Sequence, residues 1–169
     1  MVYLGIAIGI FLTEFLIKFI VEKKGKIGVT KPVCGGKILL KKYHNKGFML
    51  NIGKEKQKVV AYISLVVTVM LSLLFLLCKK NRNKRIKTGL ALVLGGAYSN
   101  TYDRLFRTYV VDYISFNVKS KRLRRIVFNI ADFCIMAGAI LVVIGGSEYE
   151  NISKRQICGK SDGGLSGPQ

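Results

Sequence analysis

Along the chain, hydrophobic residues gather into blocks separated by basic stretches instead of recurring at the spacing of a soluble core. From Val59 to Cys78, VVAYISLVVTVMLSLLFLLC, twenty residues carry no charge; as a helix they cross a hydrocarbon layer of roughly 30 Å. Val2 to Val21 is as long but contains Glu14 and Lys18, and Ile126 to Gly146 contains only Asp132. Thr88 to Tyr102 has fifteen uncharged residues before Asp103, so it spans only by taking in Ile86 or the Asp103–Arg104 end. The pattern predicts a mainly α, polytopic membrane protein with four transmembrane helices at about 2–21, 59–78, 86–104 and 126–146.

Between the first two blocks, residues 22–58 hold a Gly35-Gly36 turn signal and KILLKKYHN, which reads as a strand; a small extracytoplasmic cap with short β-strands is expected there. TYVVDYISF, between the last two blocks, is rich in β-branched and aromatic residues and reads as extended or as a helix end, followed by a solvated basic loop, KSKRLRR. The membrane domain is expected over 1–147, with 148–169 as a polar, disordered tail. The first block has no basic flank before it, carries Glu14 and lacks a small-residue cleavage site, so it reads as a retained helix. Cys34, Cys78, Cys134 and Cys158 form neither a CxxC pair nor a metal spacing.

A net charge of +19 raises the possibility of nucleic-acid binding, but 27 of the 28 Lys and Arg lie outside the apolar blocks, Lys18 being the exception. No soluble basic domain is left to grip a duplex. The charges read as membrane-flanking and attractive to anionic phospholipids. Residues 79–87, KKNRNKRIK, are the densest basic loop and are expected on the cytoplasmic side, with both termini.

The chemistry lies where a membrane tolerates it least. Of nine acidic residues, Asp103, Asp112 and Asp132 fall within or beside the last two blocks, with Asn100 and Asn129 nearby. An intramembrane carboxylate costs about 3 kcal/mol, so such groups face a protein interior or a wet cavity and mark function. Asn129 and Asp132 share a helix face, as do Asn100, Asp103 and Arg104. Glu14 and Lys18, four apart, read as a structural polar pair. Gly95 and Gly96 favour close approach of the third and fourth helices. His44 reads as a cap residue and Cys134 as packing. HExxH, GxSxG and phosphate-loop motifs are absent.

GGAYSNTYDR, then VVDYI, then FNIAD before an apolar helix, resembles signal peptidase II, the lipoprotein signal peptidase of bacteria, in order and over most of the chain. The resemblance implies a catalytic dyad of Asp112 and Asp132, with Asn100, Asp103, Arg104 and Asn129 supporting the dyad or contacting substrate. Asn45-Lys46-Gly47 matches the family's Asn-x-Gly motif, adding Asn45 to that group. Three features depart from the family pattern: Glu14 stands where Asp is usual, Ser99 replaces a glycine, and FMLN follows the Asn-x-Gly motif.

The implied protein is a monomeric aspartic endopeptidase of the cell membrane, working without metal or cofactor near the extracytoplasmic face. It would cut prolipoproteins on the N-terminal side of the lipidated cysteine. Two other readings remain open at this stage, a non-catalytic lipoprotein-binding relative and a small proton-coupled transporter.

Overall fold

The computed structural model describes residues 1–47, 55–78 and 83–161. Its long helices are α1 (Val2–Lys24), α2 (Gln57–Leu77), α3 (Lys84–Phe106) and α5 (Ile130–Ser161). Strands β1 (Thr30–Val33), β2 (Ile38–Asn45) and β3 (Val110–Phe116) form one small sheet, and α4 (Lys121–Arg124) is a single helical turn. The FMLN segment and residues 79–82 of the basic loop lie outside the described residues.

Among the described residues, three helices are long and apolar enough to cross a membrane: α1, α2 and the Ile130–Glu148 part of α5. Leu12 and Leu16 on α1, Met70 and Leu73 on α2 and Ile140 and Val143 on α5 are all exposed. Such a surface is unfavourable in water and matched by acyl chains. The 23 residues of α3 give it a comparable length, ~35 Å at the helical rise, but a different environment. It buries ten residues between Gly89 and Asp103, where α1 and α2 bury three each. Because α1, α2 and α5 all pack against α3, its polar residues meet protein instead of lipid.

Glycines permit this close packing. A Cβ on Gly89 would sit 2.6 Å from the carbonyl oxygen of Gly138, and one on Gly138 would sit 2.5 Å from that of Gly89. The neighbouring pair divides its work: Gly95 faces Ala7 and Ile10 of α1, whereas Gly96 faces Ala131 and Ile135 of α5. The expectation that both serve the third and fourth helices is thus half met. On its other side α3 is joined to α2 by the Thr68 and Thr101 hydroxyls, 2.8 Å apart.

The sheet is antiparallel in the order β1-β2-β3. Gly35 and Gly36, with φ of +64° and +82°, make the turn expected between β1 and β2. Leu40 pairs with Ile114 but Tyr43 with Asp112, so β2 carries one extra residue, a bulge that re-aims its last residues. The extended alternative for TYVVDYISF is the one adopted, as β3. The basic KSKRLRR loop contains α4 and is tied to the sheet, since the carbonyl of Arg124 accepts from the Lys41 ammonium and the Ser115 hydroxyl.

The last helix starts at Ile130 and not near 126, because Phe128 pairs its backbone with β3: its N–H donates to the Ile114 carbonyl at 2.7 Å and its carbonyl accepts from Ile114 at 2.8 Å. At the other end α5 continues as helix to Ser161, so residues 148–161 differ from the disordered tail read from their polarity. Residues that are polar but lack proline can prolong a helix without an apolar face.

Candidate active site

The last turns of α1 and α3 and the first turn of α5 meet the sheet at one end of the bundle, and the polar residues singled out in the sequence converge there. Asp112 lies in β3, 1 % exposed. Its Oδ1 accepts from the Asn129 side-chain amide at 2.6 Å and its Oδ2 from that of Asn45 at 3.0 Å. Asp132 accepts from the Asn129 backbone N–H at 3.0 Å through one oxygen and from the Asn100 amide at 2.9 Å through the other. Asn129 therefore contacts both carboxylates.

Local chemistry explains this arrangement. Asn129 immediately precedes α5, and its Oδ1 accepts the Asp132 N–H at 3.0 Å while Asp132 accepts the Asn129 N–H. That is a reciprocal capping box, with Asp in place of the more usual Glu or Gln, and it fixes Asp132 in the first turn of the helix. Asn45 is fixed similarly. Its Oδ1 accepts the Gly47 N–H at 3.2 Å, an Asx turn that directs the amide nitrogen to Asp112.

A buried ammonium organises the α3 side. Lys18, 1 % exposed, donates to Asn100 Oδ1 at 2.8 Å and Ser99 Oγ at 3.0 Å, and lies 3.1 Å from Asp103 Oδ2. Glu14 is more distant at 3.6 Å. The pair read from the i, i+4 spacing exists, but each member has closer partners elsewhere. By occupying Asn100 Oδ1, Lys18 fixes which end of that amide faces Asp132. Ser99, a departure from the family pattern, supplies an acceptor to the same ammonium.

Asp103 does not touch either of the other two aspartates through any described hydrogen bond. It forms an ion pair with Arg107 at 3.0 Å and accepts the Val111 N–H at 3.2 Å, tying the end of α3 to β3 beside Asp112. Arg104 donates to the Gly47 and Asn100 carbonyls at 3.3 and 3.4 Å, and its charge is attracted by Asp112, Asp132 and Asp103. Glu22, near the end of α1, gathers Lys42 at 2.9 Å, His44 at 3.0 Å and the Tyr109 hydroxyl at 3.3 Å. His44 is thus a cap residue, as expected, stacked on Tyr109 and holding β2 next to Asn45.

Burial first, and then the neighbouring charge of Asp132, push the Asp112 carboxyl up to about 7, against the hydrogen bonds from Asn45 and Asn129 that favour its charged form. A carboxyl that exchanges its proton near neutrality beside a second carboxylate is suited to general acid–base chemistry. Sequence reasoning missed Tyr113. Its hydroxyl donates to Glu14 Oε1 at 2.8 Å, and the signal available was only its place next to Asp112.

Comparisons with known proteins identify relatives of this chain. The family model described as Signal peptidase (SPase) II matches residues 6–146. A protein of Lactobacillus johnsonii, lipoprotein signal peptidase, is 33% identical over 147 residues, covering 84% of this chain and 89% of that protein. In fold the chain is similar to a bacterial membrane enzyme solved by the in meso method at 2.3 Å, with a TM-score of 0.74, 23% identity and coverage of 87% of this chain and 88% of that one. A second such structure, at 1.9 Å, gives 0.73 and 25%, over 85% and 90% of the two chains. A family match over most of its length, together with that relative, means that the chain belongs to the signal peptidase II family.

Proposed function

We propose that the chain removes signal peptides from lipoprotein precursors with Asp112 and Asp132 as the catalytic dyad, cutting N-terminal to the lipid-modified cysteine. The observation that carries the assignment is Asn129, hydrogen-bonded to both carboxylates at once. One proton is shared by the pair. The ionised carboxylate takes a proton from water as that water attacks the scissile carbonyl, and the protonated carboxyl donates a hydrogen bond to the carbonyl oxygen. Collapse of the tetrahedral adduct breaks the C–N bond, and the departing cysteine nitrogen takes up the proton. The acid and base roles, like the pH profile, belong to the pair.

Asn100 and Asn129 orient Asp132 and Asn129 bridges it to Asp112. Asn45 orients Asp112, Asp103 anchors α3 to β3, and Arg104 supplies positive charge near the scissile carbonyl. α3 is the fourth span, shielded from lipid by its three neighbours. The site then sits at the extracytoplasmic rim, where acyl chains can remain in the bilayer while the peptide reaches the dyad. The basic 79–87 loop and both termini face the cytoplasm, where anionic phospholipids attract them. The enzyme acts as a monomer.

Purified protein in detergent, given a synthetic precursor bearing a diacylglyceryl cysteine, tests this reading. Hydrolysis at the bond preceding that cysteine supports it. Binding without cleavage would instead mark a non-catalytic relative, and ion-driven uptake by liposomes a transporter.

A further inference from the structure

Glu14 is fully buried on a helix whose large apolar side chains mostly face outward, at a depth where an uncompensated carboxylate is strongly disfavoured. Its Oε1 accepts two hydrogen bonds, from the Tyr113 hydroxyl at 2.8 Å and from the Ala131 N–H at 3.0 Å. Tyr113 directly follows Asp112 in β3, and Ala131 directly precedes Asp132 in α5. The Tyr113 hydroxyl also accepts the Ile130 N–H at 3.4 Å, which closes the connection between the strand and the helix. The other oxygen of Glu14 lies 3.6 Å from the Lys18 ammonium. Charge is balanced from within α1, while directed bonding is spent on the neighbours of the two aspartates.

The geometry points to Glu14 as a positioning residue for the peptidase reaction: by joining Tyr113 to Ala131 through one carboxylate oxygen, it sets the separation of Asp112 and Asp132. It acts from the side of α1 and does not touch the dyad itself. This inference rests on the assignment of Asp112 and Asp132 as the dyad. Its physical content is that a shared proton and an attacking water need a fixed spacing, and a displacement of about 1 Å costs on the order of 100-fold in rate. A Glu14 that only held α1 in the bundle through Lys18 would lower stability and leave the turnover of folded enzyme unchanged.

The test is a double-mutant cycle on Glu14→Ala and Tyr113→Phe, with kcat and KM measured on a diacylglyceryl-cysteine precursor and normalised to folded protein by thermal unfolding in detergent. Tyr113→Phe removes one hydroxyl and leaves every charge in place; it should lower kcat about tenfold, the effect of one buried hydrogen bond, with KM within about twofold of the parent. Glu14→Ala should lower kcat about 100-fold. The double variant should be no slower than Glu14→Ala, because both losses run through one oxygen. Parental kcat in Tyr113→Phe, a loss confined to KM, or a double variant slowed by the product of the two factors overturns the inference. Should Glu14→Ala fail to fold, Tyr113→Phe decides alone. Asp112→Asn and Asp132→Asn are assayed in parallel. If either turns over, the dyad assignment fails; if both are inactive while Tyr113→Phe is fully active, only the positioning role falls.

Discussion

Asn129 and Asp132 cap each other, each accepting the other's backbone N–H at 3.0 Å. The same Asn129 amide donates to Asp112 at 2.6 Å, so a local helix-start motif aligns two carboxylates from different parts of the chain. The two duties can be separated. Asn129→Ser keeps a capping oxygen, ranked beside Asn, but lacks the amide that reaches Asp112. It should retain thermal stability within about 0.5 kcal/mol while losing at least about tenfold in kcat. Asn129→Ala should lose both, with about 1 kcal/mol from the missing cap. Thermal unfolding and turnover of the two variants, measured side by side, check this.

The raised carboxyl of Asp112 gives a pH dependence with a definite sign. Activity should fall as pH rises through about 7, where the shared proton leaves. Asn45 donates to Asp112 and favours its charged form, so Asn45→Ala should move that alkaline limb to higher pH. Stability follows the same group. The raised folded value makes its contribution complete below the unfolded carboxyl value of 3.8 and lost as pH rises through about 7. A profile of kcat/KM against pH for parent and variant checks the shift, and movement of the limb to lower pH contradicts it.

Packing around the site can be probed without touching a polar group. A Cβ at Gly96 would lie 2.6 Å from the Ala131 carbonyl oxygen, next to Asp132. Gly96→Ala should therefore force α3 and α5 apart, at a cost of about 1–3 kcal/mol and with loss of turnover. At Gly5 nothing lies within 4 Å of the added atom, and Gly5→Ala should leave both properties unchanged. Unfolding temperature and cleavage rate of the pair are the measurements.

Orientation is open to chemical labelling in a background without the native cysteines. Lys84, exposed at the start of α3, and Lys37, exposed in the cap, lie at opposite ends of the bundle. With a membrane-impermeant maleimide, Lys37→Cys should react in intact cells and Lys84→Cys only after the cells are opened. The reverse pattern inverts the topology.

Much of this fold is legible in the sequence because a membrane enforces simple rules. The charge-free run from Val59 to Cys78 has few alternatives to a helix, and Gly35-Gly36 marks the turn between β1 and β2. The start of α5 is less legible, since Phe128 joins β3 through backbone bonds that hydropathy does not encode. α3 is ambiguous by composition because it is surrounded by protein and needs no lipid-facing surface. In the site, the spacing of Asn129 and Asp132 already suggests an amide supporting a carboxylate. The hub at Lys18 is not legible in this way: its contacts with Ser99 and Asn100 join residues 81 and 82 positions apart. Only the assembled bundle pairs them, just as it pairs Tyr113 with Glu14.

The dyad itself is tested most directly by turnover of Asp112→Asn and Asp132→Asn on a diacylglyceryl-cysteine precursor, with folding verified by thermal unfolding. Asparagine preserves size and polarity but cannot share or transfer the proton that activates water. Each variant should cleave at less than about one-thousandth of the parental rate, while at least one still binds the intact precursor. Near-parental cleavage by either folded variant would contradict the assignment of Asp112 and Asp132.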